Sequence, residues 1–265
     1  MQEMTLMMMT ETKTTSNLAL VLVAAGVSSR IGFDKTGSKI KKEYLPMKSG
    51  TVLSTAAKAF LSTLDFSTVV VTFPANDDLA GEQKKAEEAL FADPFVKECS
   101  SRTNFIFVPG GKTRQQSVLD ALETISDKNP DCELVFIHDG ARPFVKSETI
   151  SLTYRAALEF GAAVPGLQPT ETQKKIDENG FIVKHLLRSS LTAVQTPQVF
   201  QFEPILEAHR KASESTKTFT DDTEIWDEFA AKHKNENGES LSRVKVVLGD
   251  PENKKITYPE DIKDL

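Results

Sequence analysis

The stretch LALVLVAAGVSSRIG (18–32) decides the fold. Its first eight residues, LALVLVAA, are apolar with no alternation. That is the pattern of a strand covered on both faces, as in a parallel sheet. The strand runs into small residues and one arginine, so a loop that a ligand can approach closely follows it. Working outward, Leu53, Ala56, Ala57, Phe60 and Leu61 recur at helical spacing and predict a helix over 51–62. STVVVTFP (67–74) is the next strand, and 77–91 reads as a charged surface helix. NFIFVP (104–109) is a third strand ending at Gly110–Gly111, and Val118, Leu119, Leu122 and Ile125 mark the helix after it. ELVFIHD (133–139) is a fourth strand. Ser147 is expected to cap a helix to about 160, and GAAVPGL (161–167) is a fifth strand. Strands alternating with helices of this length predict βαβ units, hence an α/β fold with a mostly parallel twisted sheet flanked by helices.

The alternation stops after 167. Residues 168–190 hold no long apolar run, and KKIDENGFIVKHL centres on Asn179–Gly180, a strong hairpin turn pair. A lone hairpin has little to bury, so it is expected to project as an arm and pack on a second subunit of a homodimer. Two short helices after 200, a strand RVKVVLG (243–249) and a final turn complete the chain. Residues 1–17, polar and rich in Thr and Met, are expected to be a disordered tail, leaving 18–265 as one domain.

With 265 residues and a net charge of −6, the chain lacks the basic excess of a nucleic-acid binder, so any anion site must be built locally. No apolar run approaches a membrane span, and the N-terminal residues lack the apolar core of an export signal. The two cysteines, Cys99 and Cys132, show neither metal-ligand spacing nor a disulfide framework. A cytoplasmic location with inert thiols is the expectation.

In open α/β sheets ligands sit beyond the carboxyl ends of the strands. Three segments fall there: AAGVSSRIG (24–32), GGKTRQQS (110–117) and HDGARP (138–143). In the first, Ala24, Ala25 and Gly26 let backbone N–H groups approach phosphate oxygens, and Arg30 adds a forked donor. Lys42, in KKEYL, returns a second charge. The spacing is neither a Walker A loop nor GxGxxG; alone it reads equally as a glycine-bearing turn with solvated basic residues. Arg114 either binds a phosphate or covers a helix start. His138 reads as a packed histidine, and His185, His209 and His233 as solvated. Asp221–Asp222 reads as a helix cap rather than a metal pair, Trp226 as core, and Lys39 and Lys41 as no more than a raised local potential.

AAGVSSRIG, KKEYLP, GGKTRQQSV, HDGARPFV, QTPQVF, FTDD and NKKITYPEDI occur in this order from about residue 18 to the C-terminus. Together they resemble the 2-C-methyl-D-erythritol 4-phosphate cytidylyltransferases. The resemblance implies a Rossmann-like sheet with a dimerising β-arm, and transfer of CMP from CTP to a small polyol phosphate with release of pyrophosphate. It implies Arg30, Lys42, Lys255 and Asp139 at the reacting centre, and Ala24, Ala25, Gly26, Gly111, Ser117 and Gly140 around the nucleotide. Arg188, Thr196, Thr220 and Arg142 would surround the polyol phosphate, with Thr172 reaching from the arm into a neighbouring site and Lys174 following it. Mg²⁺ would be bridged mainly by phosphates, with no protein metal cage. Lys112 stands where the family often has an acidic or small residue, and the loop between Arg30 and Lys42 is long; it is expected to be ordered by CTP. A pentitol-phosphate cytidylyltransferase, such as one acting on ribitol 5-phosphate, and a non-catalytic nucleotide-binding relative are the competing readings.

Overall fold

The computed structural model describes residues 17–32, 41–230 and 243–264. The expected tail, except Asn17, lies outside these residues, as do His233, Lys39 and most of the segment between Arg30 and Lys42.

In chain order the strands are β1 (Leu18–Val23), β2 (Pro46–Met47), β3 (Gly50–Thr51), β4 (Thr68–Phe73), β5 (Asn104–Pro109), β6 (Leu134–Asp139), β7 (Ala162–Leu167), β8 (Lys174–Ile176), β9 (Ile182–His185), β10 (Ala193–Val194), β11 (Gln198–Gln201) and β12 (Lys245–Leu248). The helices are α1 (Val52–Leu61), α2 (Leu79–Leu90), α3 (Pro94–Cys99), α4 (Arg114–Lys128), α5 (Ser147–Phe160), α6 (Phe202–Ser213) and α7 (Asp222–Ile225). Eight strands form one sheet in the order β10-β7-β11-β6-β1-β4-β5, with β12 added against β7. β1 pairs in parallel with both β4 and β6, and Val21 lies between Val70 and Ile137. The chain moves from β1 outward to β5, then returns to β6 on the other side of β1. The loops after β1 and β6 therefore diverge and leave a crevice at their carboxyl ends.

Leu18, Leu20 and Leu22 pack on one face with α1 and α5 side chains such as Phe60 and Ile150. Ala19 and Val21 face α4, α6 and Trp226 on the other. Two-sided burial explains the unbroken apolar reading of β1.

The alternation predicted the mostly parallel framework that the structure has, and the structure adds to it or corrects it in detail. The sheet is mixed: β11 runs antiparallel between β6 and β7, and β10 runs antiparallel to β7. The sequence reading assigned no strand to 198–201, which holds only Val199 and Phe200 as apolar residues. Helix α3, with Pro94 in its first turn and Asp93 accepting from the Phe95 N–H, was also not foreseen. Ser147 does not cap α5; Lys146 takes that position without a side-chain cap bond, and Ser147 is the first helical residue.

β8 and β9 form a separate antiparallel ladder, as the 168–190 hairpin predicted. Its turn is closed by Gly180 N–H donating to the Asp177 carbonyl, with Gly180 at φ +85°. Ile176, Phe181, Ile182 and Val183 are all exposed on it.

Candidate active site

The loops after β1, β5 and β6, the turn at Lys42–Tyr44 and the segment after β12 surround a cleft of about 340 Å³. Ala25, Gly26, Arg30, Lys42, Gly111, Ser117, Asp139 and Lys255 all line it, as does Lys112. Ala24 and Gly140 lie behind this surface, both buried. The Ala24 N–H donates to Thr72 Oγ1 at 3.0 Å, and the Gly140 N–H to the Val23 carbonyl at 3.0 Å. A Cβ on Gly140 would stand 3.2 Å from the Ala24 Cβ, so the two loops approach too closely there for a side chain to enter freely. Ser117 Oγ accepts from the Gly111 N–H at 3.1 Å and donates to the Thr113 carbonyl at 2.9 Å. This pins the glycine turn to the first turn of α4.

The cations are held in different ways. The Arg30 guanidinium lies over the Tyr258 ring, 5.5 Å from its centroid. Lys42 is buried, and its Nζ donates to the Ile256 carbonyl at 2.7 Å. Burial lowers its pKa, partly opposed by Glu43. One of its three ammonium donors is thus spent on the segment that carries Lys255, and two are left over.

A second cavity of about 280 Å³ adjoins the first. Arg142, Thr196 and Thr220 line it, and Arg114, Asp139 and Lys255 line both. These three residues are the shared wall. Asp139 accepts from Lys255 Nζ at 2.9 Å, with Arg142 Nε at 3.4 Å and Arg114 Nε at 3.6 Å. Burial alone would raise the Asp139 carboxyl; Lys255, Arg114 and Arg142 outweigh it and hold the group below the usual carboxylate range. Three cations around one carboxylate leave a local positive excess in a negatively charged protein.

The backbone of Asp139 is fixed from behind. Its N–H donates to Thr196 Oγ1 at 3.1 Å, and that hydroxyl lies 3.0 Å from His138 Nδ1. His138 Nε2 lies 3.1 Å from the Arg142 carbonyl. A carbonyl only accepts, so Nε2 carries the proton. Burial lowers the His138 pKa to about 4, so the ring is neutral and Nδ1 accepts from Thr196. Asn253, fully buried, donates to the Thr196 carbonyl at 2.9 Å, while its own carbonyl accepts from Arg142 Nη1 at 2.7 Å. This ties the Lys255 segment to both.

The profile of the 2-C-methyl-D-erythritol 4-phosphate cytidylyltransferases matches residues 18–264. The chain belongs to this family. The enzyme of that name from Caldanaerobacter subterraneus subsp. tengcongensis is 36% identical over 248 residues, covering 93% of this chain and 96% of the relative. That of Clostridium perfringens strain SM101 is 32% identical over 245 residues, covering 91% and 94%. The crystal structure of the 4-diphosphocytidyl-2C-methyl-D-erythritol synthase of Anaerococcus prevotii shares the fold with a TM-score of 0.72 at 24% identity, over 94% of each chain. That of the Thermus thermophilus cytidylyltransferase gives 0.62 at 25%, over 94% and 96%. As a member of the cytidylyltransferase family this chain is a nucleotidyltransferase of isoprenoid biosynthesis. The pentitol-phosphate and non-catalytic readings are not favoured.

Two residues assigned to the cytidylyltransferase site by resemblance stand apart from both cavities. Thr172 and Arg188 are exposed on the arm and its base, and Arg188 Nη1 donates to the Thr170 carbonyl at 2.7 Å. The reading of His209 as solvated is corrected. It is fully buried on α6, with Nε2 3.3 Å from Asp222 Oδ1. Asp222 Oδ2 meets Arg114 Nη2 at 2.8 Å, so Arg114 joins the Asp139 wall to the core. Burial would raise the Asp222 carboxyl, but Arg114 prevails and it falls to about 2. Asp221 is the cap expected, accepting from the Glu224 N–H, and Trp226 is core. Lys41 does more than raise a local potential: it is half-buried in an ion pair with Glu43. The open choice for Arg114 falls on the site, since it lines both cavities, whereas Asn253 and Glu43 were not recognised as parts of it. Only the KKEYL and NKKIT runs hinted at the last two.

Proposed function

We propose that this protein transfers CMP from CTP to 2-C-methyl-D-erythritol 4-phosphate, giving 4-diphosphocytidyl-2-C-methylerythritol and pyrophosphate. The observation that carries this reading is the wall of Arg114, Asp139 and Lys255 shared by two cavities, one fitted to a nucleotide and one to a smaller polar ligand. A phosphate oxygen of the polyol phosphate attacks the α-phosphorus of CTP, the bond to the β-phosphate breaks, and pyrophosphate leaves. A phosphate monoester has a second pKa of about 6 and is already ionised near neutrality, so no general base is needed. His138, neutral and internally bonded, does not serve as one. The barrier is repulsion between two anions and the charge that gathers on pyrophosphate, and fixed cations lower both. Arg30 and Lys42 take the triphosphate from the β1 side. Lys255 acts at the junction, and Arg142 and Thr220 face the polyol phosphate, with Thr196 behind them fixing the Asp139 backbone.

Among the described residues no group of three or more His, Cys, Asp or Glu side chains could cage a metal. A Mg²⁺ arriving on the triphosphate would be held mainly by its oxygens, and Asp139 is the carboxylate that lines both cavities. Bound there, the ion would neutralise phosphate charge. The exposed apolar side chains of the arm support a homodimer in which each arm delivers its Thr172 and Arg188 to the neighbouring site. The buried free cysteines, with the Cys132 thiol pushed up to about 12 by burial, agree with a reducing cytoplasm.

Pyrophosphate release tests the reading. With CTP and Mg²⁺, methylerythritol phosphate is expected to support turnover and ribitol 5-phosphate, which lacks the branching methyl, to support at least ten-fold less, about the discrimination a methyl-sized difference gives. Equal rates, or release only with the pentitol phosphate, would contradict it.

A further inference from the structure

The loop after β1 carries Arg30 and the backbone that faces the first cleft, and residues 41–43 grip it at two points. Lys41 Nζ donates to the Gly26 carbonyl at 2.7 Å and to Glu43 Oε2 at 2.5 Å. Ser28 Oγ accepts from the Lys42 N–H at 3.3 Å and lies 3.5 Å from Glu43 Oε2. Ser28 has φ +50°, the one non-glycine residue with positive φ among the described residues. A serine leaves ordinary backbone only where its surroundings hold it. The turn that follows is closed by the Ile31 N–H donating to the Ser28 carbonyl at 3.1 Å, and Arg30 sits inside that turn. The side chains of Lys41 and Glu43 are 15% and 4% exposed, so the pair is largely shielded from water and salt.

The pair also has an electrostatic consequence. A carbonyl turned into the cleft would repel a triphosphate. In a planar peptide the C=O of Gly26 and the N–H of Val27 point in opposite directions. An ammonium that captures the carbonyl therefore fixes the direction of the Val27 N–H as well, and Val27 lines the cleft.

We propose that the Lys41–Glu43 ion pair is a positioning device that sets the backbone of residues 26–28 and the Arg30 turn for the triphosphate before the nucleotide binds. This rests on the CTP reading above. The pair acts through the loop and away from the polyol cavity, so its removal changes nucleotide binding selectively.

Steady-state kinetics on Lys41→Met and Glu43→Gln, with each substrate varied in turn, test this. The expected result is a KM for CTP raised by roughly ten-fold, with the KM for the polyol phosphate within about two-fold of the parent. The double variant should be no worse than the weaker single variant, since both break one interaction. Lys41→Arg, which keeps charge and reach, should recover most of the loss. Should Lys41→Met prove insoluble, Glu43→Gln carries the same prediction. An unchanged KM for CTP, an equal rise for both substrates, or a lowered Tm with parental kinetics would overturn the proposal. If the parent protein shows no turnover, the CTP reading is what fails at the level of chemistry. Calorimetric binding of CTP to parent and Glu43→Gln then decides the role of the pair: roughly ten-fold weaker binding upholds it, and equal binding or none at all overturns it.

Discussion

At the scale of single residues, the site is governed by where protons and charges are forced to sit. Thr196 is an example. Its hydroxyl proton goes to His138 Nδ1 and one lone pair takes the Asp139 N–H, so it fixes the backbone of the central carboxylate. Thr196→Val leaves that N–H and Nδ1 without partners in a buried place, and should cost about 1–3 kcal/mol. Thr196→Ser should cost far less. Chemical denaturation of both variants checks this, and equal losses would contradict it. Arg30 and Asp139 were legible in runs at strand ends and Lys42 as a second charge returning to the first loop, while Lys255 came only from the family resemblance of its NKKIT run. Arg114 was legible only as an open choice, and His209 was misread. What decides both is burial against Asp222, which comes from a segment more than a hundred residues away from Arg114, and no local pattern encodes it.

At the scale of elements, hydrophobic period carried most of the reading. β1, β4 and β6 declared themselves because both faces are covered. β11 did not. It is four residues long, and its polar first residue is satisfied only by the fold: Gln198 donates to Asp221 Oδ2 at 3.0 Å and accepts from the Asp222 N–H at 3.2 Å. The arm was legible from its Asn-Gly turn and from the absence of anything for it to bury. Its Phe181 is 70% exposed and its base residue Leu187 72% exposed. Large apolar side chains grouped in this way point to a protein contact. Phe181→Asp combined with Ile182→Asp should turn the proposed dimer into a monomer in sedimentation velocity while leaving the circular dichroism spectrum unchanged, because both side chains are exposed on their own protomer. A parent that sediments as a monomer, or a variant that stays dimeric, would remove the arm from the assembly.

At the scale of the whole molecule, a chain of net charge −6 concentrates cations where two cavities meet and holds them with Asp139 and Asp222. The same architecture buries a neutral imidazole at its centre, which makes stability depend on pH. His138 falls from an ordinary 6.5 to about 4 in the fold. Between those values the unfolded chain binds a proton that the folded chain refuses. Stability is therefore full above pH 6.5 and declines as pH falls toward 4, by about 3 kcal/mol from this group. Denaturant unfolding across that window should show the slope, and His138→Asn should flatten it; a parent curve level from pH 6.5 to 4 would contradict the assignment. On the proposed function, the α-phosphorus of CTP is attacked at the wall common to both cavities. A crystal structure with a non-hydrolysable CTP analogue and methylerythritol phosphate tests it most directly. The α-phosphate is expected within hydrogen-bonding distance of Lys255 Nζ, and the polyol phosphate on the Thr196 and Thr220 side of the wall. Both ligands in one cavity, or an α-phosphate remote from Lys255, would contradict it.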